Sequence, residues 1–176
     1  MDNILFNNVT TILSSLSSVA IIISAFFAIY QWRKTKKLNG VKYLQQLREK
    51  LYDDKEISEV IYMFDYNEKW YSIEFHETKE MQTKVDRTLS VLEHASYLKM
   101  KKHIDKNQFL VIQYQVDRTL CNSQVQAYLF NLYHWSKRTG IPMPFSYLVK
   151  YGLREGYLRK GFRNVNSQIY KHYLNI

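Results

Sequence analysis

The chain has 176 residues, with 25 Lys and Arg against 16 Asp and Glu, and a formal net charge of +9. This length accommodates a membrane anchor and one modest domain. The one cysteine, Cys121, excludes an intrachain disulfide and fits a reducing compartment.

Charge is distributed unevenly along the chain. Every Lys and Arg lies at or beyond Arg33, and the first 32 residues contain only Asp2 as a charged residue. Residues 49–80 hold ten acidic and four basic residues, whereas residues 137–176 hold eight basic residues and one acid, Glu155. Such a separation of acidic and basic segments indicates what kind of partner the protein binds, but it does not indicate the fold.

The first predicted element is a transmembrane anchor over residues 1–32. No charged residue occurs between Asn3 and Trp32, and the stretch from Val9 to Trp32 is mostly apolar. As a helix this stretch is about 36 Å long, enough to cross a hydrocarbon core of about 30 Å. A cleaved signal peptide would need basic residues before the apolar stretch, and a buried core helix would rarely stay uncharged over this length.

Aromatic and basic side chains follow the apolar stretch and form a predicted membrane flank: Tyr30, Trp32, Arg33, Lys34, Lys36 and Lys37. Tyr and Trp are typical of the membrane interface, and Lys and Arg of the cytoplasmic side. Residues 33–40 are therefore predicted to be a basic juxtamembrane linker. The expected topology is single-pass in the inner (cytoplasmic) membrane, with the N-terminus outside and the C-terminus in the cytoplasm.

Small residues recur every fourth position in the anchor, at Ala20, Ser24 and Ala28. This spacing lets two helices approach closely in lipid, so it predicts a homo-oligomer formed through this face. The alternative is that Ala and Ser are simply common in such helices.

A helical cytosolic domain is predicted for residues 41–153, so that the fold class is all-α: one N-terminal transmembrane helix and a small helical bundle. Apolar periodicity predicts helices at 41–54, 56–64, 76–103, 106–137 and 145–153. Asp105 is the expected N-cap of the fourth helix, Gly140 its end, and Pro144 part of the first turn of the fifth. Residues 70–75 (WYSIEF) are expected to be a packed loop, since a lone strand would have no partner.

The peptide VDRTL occurs twice, at residues 85–89 and 116–120. If the two helices that contain the copies are antiparallel neighbours, Asp86 and Arg87 can pair with Arg118 and Asp117. Alternatively the recurrence is an accident of two amphipathic helices.

No arrangement of reactive residues supports an enzyme. His76 begins a partial zinc motif in which Glu80 replaces the second histidine, so the ligands are too few. Asp65, Glu77 and Lys79 have the spacing of a metal-dependent nuclease, but that chemistry needs a sheet to hold the carboxylates. We therefore predict a non-enzymatic protein with no metal and no cofactor.

The best candidate site is a basic aromatic tail over residues 154–176. Its predicted residues for binding an anionic ligand are Arg154, Tyr157, Arg159, Lys160, Phe162 and Arg163. Guanidinium groups chelate phosphate and aromatic rings stack on bases, which favours a nucleotide. Two alternatives are binding of anionic lipid and docking on the acidic segment of the same chain, residues 49–80.

The segments AIYQWRKTKK (residues 28–37) and AYLFNLYHWSKRTGIPMPFSYLVKYG (residues 127–152) resemble a group of small bacterial membrane-anchored proteins. These are known as a domain of unknown function and often occur in phage-related or mobile loci. The resemblance covers residues 28–152 and implies an anchored, all-helical cytosolic domain. It implies no catalysis and no functional residues.

Together these features predict a non-enzymatic membrane sensor or effector, of phage-defence or phage-conflict type, whose basic domain binds a partner or an anionic ligand. One alternative is a membrane effector like those of type III CRISPR systems, activated by a cyclic oligoadenylate. Another is a membrane scaffold that recruits a cytosolic protein. The expected partners are membrane lipid, further copies of the chain, and a nucleotide messenger or a protein, but not double-stranded DNA.

Overall fold

A computed structural model of the chain describes residues 2–173, except for the side chains of residues 2–16 and residue 18. Over residues 2–173 the fold is all-α, as predicted, and it contains no strand. The helices are α1 (Asp2–Asp53), α2 (Lys55–Asp65), α3 (Lys79–Met100), α4 (Lys106–Cys121), α5 (Ser123–Thr139) and α6 (Ser146–Glu155). Two short 3-10 turns lie at Glu74–His76 and Lys160–Arg163.

The chain divides into two compact units, one up to Asn39 and one from Gly40 onward. In the first unit the large apolar side chains from Val19 to Trp32 are exposed, for example Ile21 at 69% and Phe26 at 71%. The predicted association residues Ala20 and Ser24 lie on this segment, where the Ser24 hydroxyl donates to the Ala20 carbonyl at 2.8 Å. Much of the predicted anchor, residues 1–16 and 18, lies outside the described side chains.

A search of the described part of the chain finds no helix with the length and apolar character needed to cross a membrane.

The second unit has a continuous core in which α3 is central. This helix contacts α2, α4 and α6, and its residues Val85, Leu89, Leu92 and Ala95 are fully buried. The loop at residues 70–75 packs on the same core through Tyr71 and Phe75. The prediction of a packed loop rather than a strand is therefore confirmed.

The prediction of one helix over residues 106–137 is wrong, because the chain breaks at Asn122 between α4 and α5. The Asn122 side-chain oxygen accepts hydrogen bonds from the backbone of Gln124 at 2.9 Å and Val125 at 3.0 Å. Its amide group donates to the Phe64 carbonyl at 2.9 Å and to the Asn67 side chain at 3.2 Å. Asn122 therefore caps α5 and ties it to the end of α2.

α1 continues without a break through the predicted linker at residues 33–40 and the predicted helix start at residue 41. Most of the other predicted helix ends agree with the structure to within about three residues. Asp105 caps α4 in a reciprocal capping box with Gln108, as predicted. Gly140 ends α5 in the left-handed conformation, with φ of 73°. Pro144 lies before α6 rather than in its first turn, and Glu93 of α3 accepts the hydrogen bonds of the Tyr147 and Leu148 N–H groups.

The two VDRTL copies hold the two ends of α2 instead of pairing with each other. Arg87 binds Asp54, the N-cap of α2, at 2.6 Å. Arg118 binds both the side chain of Asp65, at 3.3 Å, and its carbonyl, at 3.1 Å, at the other end of that helix. In each copy the aspartate accepts a tyrosine hydroxyl: Asp86 from Tyr128 and Asp117 from Tyr151. The two copies of the peptide therefore make equivalent contacts: each arginine binds one end of α2 and each aspartate accepts a tyrosine hydroxyl.

The segment after α6, residues 156–173, packs on α5, and we call it the C-terminal strap. Leu158, Phe162 and Tyr170 of the strap are buried in the core. Asn131 of α5 donates to the Lys171 carbonyl at 2.7 Å and accepts from the Tyr173 N–H at 2.9 Å. The predicted tail is therefore an integral part of the second unit over its described residues. Residues 174–176 lie outside the description.

Candidate functional site

A cavity of about 570 Å³ lies in the second unit, and we call it the Trp70 cavity. Three pieces of chain line it: the loop at residues 67–72, the first turns of α5, and the C-terminal strap. The volume falls in the range of roughly 300–1,000 Å³ that is typical of small-molecule sites.

Gln124 holds the loop wall of the cavity against α5. Its side-chain oxygen accepts the backbone N–H groups of Trp70 at 2.7 Å and Tyr71 at 2.9 Å. Its amide group donates to the Glu68 carbonyl. Because the loop lacks regular secondary structure, these three bonds replace the backbone pairing that a helix or sheet would supply.

The strap wall is fixed by its own contacts. The Arg159 N–H donates to the Tyr170 hydroxyl at 2.9 Å, and the Tyr170 ring stacks on Phe130 of α5. The rings of Tyr71 and Tyr173 meet edge to face, with 4.7 Å between centroids, and so join the strap to the loop. Both walls are therefore preorganised on the α5 scaffold.

The lining of the cavity is cationic and aromatic. Lys69, Arg159 and Lys171 line it together with the rings of Trp70 and Tyr170, and its described lining residues include no carboxylate. The first turn of the 17-residue α5 also lies at the cavity and adds partial positive charge. A phosphate or carboxylate with an attached planar ring matches this combination.

The indole N–H of Trp70 is a polar group inside the loop rather than on the cavity surface. This nitrogen is buried and has no hydrogen-bond partner among the residues that the structure describes. Because this nitrogen is buried, it is not offered to a ligand in the cavity, and its missing hydrogen bond is a cost to the fold.

The neighbouring polar groups are neutral near pH 7. Burial raises the pKa of Tyr71 well above its ordinary value, with Tyr173 contributing, and burial lowers the pKa of His76. The Tyr71 hydroxyl lies 3.1 Å from Nε2 of His76. Neither group adds charge to the site, so its positive charge comes from the three cations and the start of α5.

The predicted ligand-binding residues are only partly brought together. Arg159 lines the Trp70 cavity, whereas Arg154 contacts Glu155 at 2.7 Å and lies over the ring of Tyr151. Lys160 and Arg163 are exposed elsewhere on the strap. These placements divide the predicted set into one cavity residue and several surface residues.

Two aromatic residues of the predicted set, Phe162 and Tyr157, pack against other side chains of the second unit. The Phe162 ring is fully buried against Phe130 and Tyr170, so it has no free face for a base, and this part of the prediction is corrected. Tyr157 is half-buried, and burial together with a hydrogen bond to Asp117 raises its pKa to about 12.

Sequence reasoning missed Lys69, Trp70, Gln124 and Lys171. The available signal was the adjacent pair Lys69-Trp70, at the start of the aromatic loop of residues 70–75. Among the described residues, no group of three or more His, Cys, Asp or Glu is placed to hold a metal ion.

Comparison of the chain with protein families, with functionally described proteins and with solved structures finds no match.

The stability of the second unit is expected to fall as the pH drops from about 8 to about 6. Burial lowers the pKa of His76 and of His134, whose Nε2 lies 2.9 Å from the Phe162 carbonyl. Between the lowered values and the ordinary value of about 6.5, the unfolded chain binds more protons than the folded one, so acidification favours unfolding. Thermal denaturation at several pH values measures this.

The control for the pH experiment is the double variant His76→Gln and His134→Gln, in which the slope over this pH range should shrink. Burial raises the pKa of Asp86 and Glu93 above their ordinary values of about 4. In the folded chain these two groups therefore bind protons at a higher pH than in the unfolded chain, so their contribution to the stability increases as the pH falls, which is opposite to that of the histidines. A melting temperature that stays constant or rises from about pH 8 to about pH 6 would contradict the prediction.

Proposed function

We propose that the chain is a non-enzymatic sensor or effector of the cytoplasmic membrane, whose second unit binds an anionic ligand with a planar ring in the Trp70 cavity. The observation that carries this proposal is the convergence of Lys69, Arg159 and Lys171 with aromatic walls around one cavity. A nucleotide messenger is the ligand class that fits best, because its phosphate needs the cations and its base the rings.

The membrane part of the proposal is supported by the first unit. Its apolar side chains are exposed on α1, including Ile22, Ile23 and Phe27, which is unfavourable in water. The uncharged stretch ends at Trp32, and Lys36 lies over that ring at 5.3 Å. Arg33, Lys34 and Lys37 follow, so the orientation with the second unit in the cytoplasm fits the positive-inside rule.

The consequence of ligand binding is proposed to be a change in association between anchors. The small residues Ala20, Ser24 and Ala28 would let two copies of α1 approach in lipid. The resemblance to proteins of phage-related loci suggests a role in phage defence or phage conflict. Within that role, a cyclic oligoadenylate is one messenger to test.

The ligand proposal predicts that removing the cavity cations weakens binding. Full-length protein in nanodiscs should give heat with at least one member of a nucleotide panel that includes cyclic oligoadenylates. Lys69→Ala and Arg159→Ala should each reduce affinity about tenfold or more, since a hydrogen bond to a charged group is worth roughly 1.5–3 kcal/mol. Isothermal titration calorimetry measures both effects.

Lys160→Ala plus Arg163→Ala is the matched control, because both side chains are exposed on the same strap outside the cavity. This double variant should bind as the wild type does. If the control loses as much affinity as the cavity variants, the tail surface rather than the Trp70 cavity is the site. If no nucleotide gives heat, the ligand class is wrong.

A further inference from the structure

A second cationic surface lies at the turn between α3 and α4. It is formed by Lys99, Lys101, Lys102, His103, Lys106, Lys150 and Arg154, and we call it the basic patch. All of these residues belong to the second unit, and none lines the Trp70 cavity. Lys101, Lys102, His103, Lys106, Lys150 and Arg154 are exposed.

Aromatic rings hold the cations of the patch in one place. Lys101 and Lys150 both lie over the Tyr147 ring, at 5.7 Å and 4.7 Å from its centroid. The Tyr97 ring contacts Tyr147 at 4.9 Å and His103 at 5.8 Å. The turn and the first turns of α6 therefore present their charges side by side.

The patch keeps a net positive charge after its nearby carboxylates are counted. Burial lowers the pKa of Lys99, and Arg154 and Lys106 lower it further, which places these three cations close together. Two acids act in the opposite sense on Lys99: Glu155, which pairs with Arg154, and Asp105, whose side chain accepts the Gln108 N–H. Glu93, which accepts the Tyr147 N–H and interacts with Lys150, is a third acid, so six Lys and Arg face three acids.

The turn that carries the patch packs against the first residue of the second unit. A Cβ added at Gly40 would lie 3.2 Å from Ile104 and 3.6 Å from the His103 carbonyl, so the turn packs against residue 40. Gly40 follows Arg33 by seven residues, which reach at most about 25 Å when extended. The stretch of chain between the basic flank of the first unit and the start of the second unit is therefore short.

We propose that the basic patch docks on anionic headgroups of the cytoplasmic leaflet, and so holds the second unit against the membrane. This inference rests on the membrane part of the proposed function and is independent of the ligand in the Trp70 cavity. Each cation near an anionic bilayer shifts a docking equilibrium about fivefold at ordinary salt. Reversing three of the charges should therefore weaken docking by about 100-fold or more.

The test uses full-length protein in nanodiscs of phosphatidylcholine, with or without phosphatidylglycerol, that carry a headgroup quencher. A fluorophore on Asn107→Cys, in a Cys121→Ser background, reports on the patch end of α4. A fluorophore on the native Cys121, which is exposed, reports on the other end, about 20 Å away. We expect the probe at position 107 to be quenched only when phosphatidylglycerol is present, and this quenching should disappear at high salt. The probe at Cys121 should show little quenching in either lipid.

Two matched variants of the position-107 probe complete the test. Lys101→Glu, Lys106→Glu and Lys150→Glu together should reduce quenching to the level without phosphatidylglycerol. Lys55→Glu, Lys79→Glu and Lys137→Glu, which change the net charge equally outside the patch, should leave it unchanged. Equal quenching in both lipids, or equal loss in both variants, overturns the docking inference. Protein that does not copurify with nanodiscs overturns the membrane anchor instead, and the inference with it.

Discussion

Asn122→Ala is expected to destabilise the second unit by about 3 kcal/mol. Removing an N-cap costs roughly 0.5–2 kcal/mol, and each of the two lost side-chain hydrogen bonds costs roughly 0.5–1.5 kcal/mol more, although the Phe64 carbonyl still accepts the Asn67 N–H at 3.2 Å. Here the cap bonds reach Gln124 and Val125, and the lost donor bonds reach the Phe64 carbonyl and Asn67. Chemical denaturation of the full chain in detergent micelles, followed by far-ultraviolet circular dichroism, measures the loss.

Asn122→Ser separates the two contributions of Asn122. Serine is also a good N-cap, so this variant should keep the bonds to the start of α5 and lose only the amide donor. The free energy of unfolding of Asn122→Ser should exceed that of Asn122→Ala by at least about 1 kcal/mol. Asn107→Ala, at an exposed position of α4, should change the stability by less than about 0.5 kcal/mol. Equal stability of Asn122→Ala and wild type would show that the break between α4 and α5 does not depend on this side chain.

Asn122→Ala should also disturb the walls of the Trp70 cavity. Asn67, which accepts from Asn122, and Gln124, which holds the loop wall, both line the cavity. Asn122 therefore links the junction of α2 and α5 to the shape of the candidate site. Asn122→Ala should weaken ligand binding even though its side chain does not line the cavity.

The helices were predictable where their apolar periodicity is regular and their ends carry local signals. The caps at Asp105 and Gly140 are such signals, because one supplies an N-cap oxygen and the other tolerates positive φ. The break at Asn122 was missed since apolar residues continue on both sides of it. Asn122-Ser123 is a local N-cap signal, but the bond that decides the geometry is to Phe64, 58 residues earlier.

The candidate site was less predictable, because no continuous motif contains it. Its cations come from the loop and from both ends of the strap, at residues 69, 159 and 171, and only packing on α5 brings them together. Arg159, which the tail's charge predicted to bind an anionic ligand, lines the cavity. The sequence of the tail could not reveal that Phe162 is a core residue, because an aromatic side chain in an irregular segment has no periodicity that separates a buried ring from an exposed one.

Ile22→Lys together with Phe26→Lys is expected to move the full-length chain out of the membrane fraction. Both side chains are exposed on α1, at 55% and 71%, within the uncharged stretch. A charged residue near the centre of a transmembrane helix costs roughly 2.5–3.5 kcal/mol, so the two together cost about 6 kcal/mol, or more than about 10⁴-fold in partitioning. Ultracentrifugation of a detergent-free lysate, with immunodetection of pellet and supernatant, measures the shift.

An alkaline carbonate wash distinguishes an inserted anchor from attachment through the basic patch, since a peripheral contact is released and an inserted helix is not. Tyr66→Lys plus Ile73→Lys is the matched control: both residues are apolar and exposed, at 76% and 59%, but they lie in the second unit. This variant adds the same charge and should stay in the washed pellet with the wild type. Wild-type protein in the supernatant would refute the anchor, and release of both variants alike would show that added charge, rather than its place on α1, controls attachment.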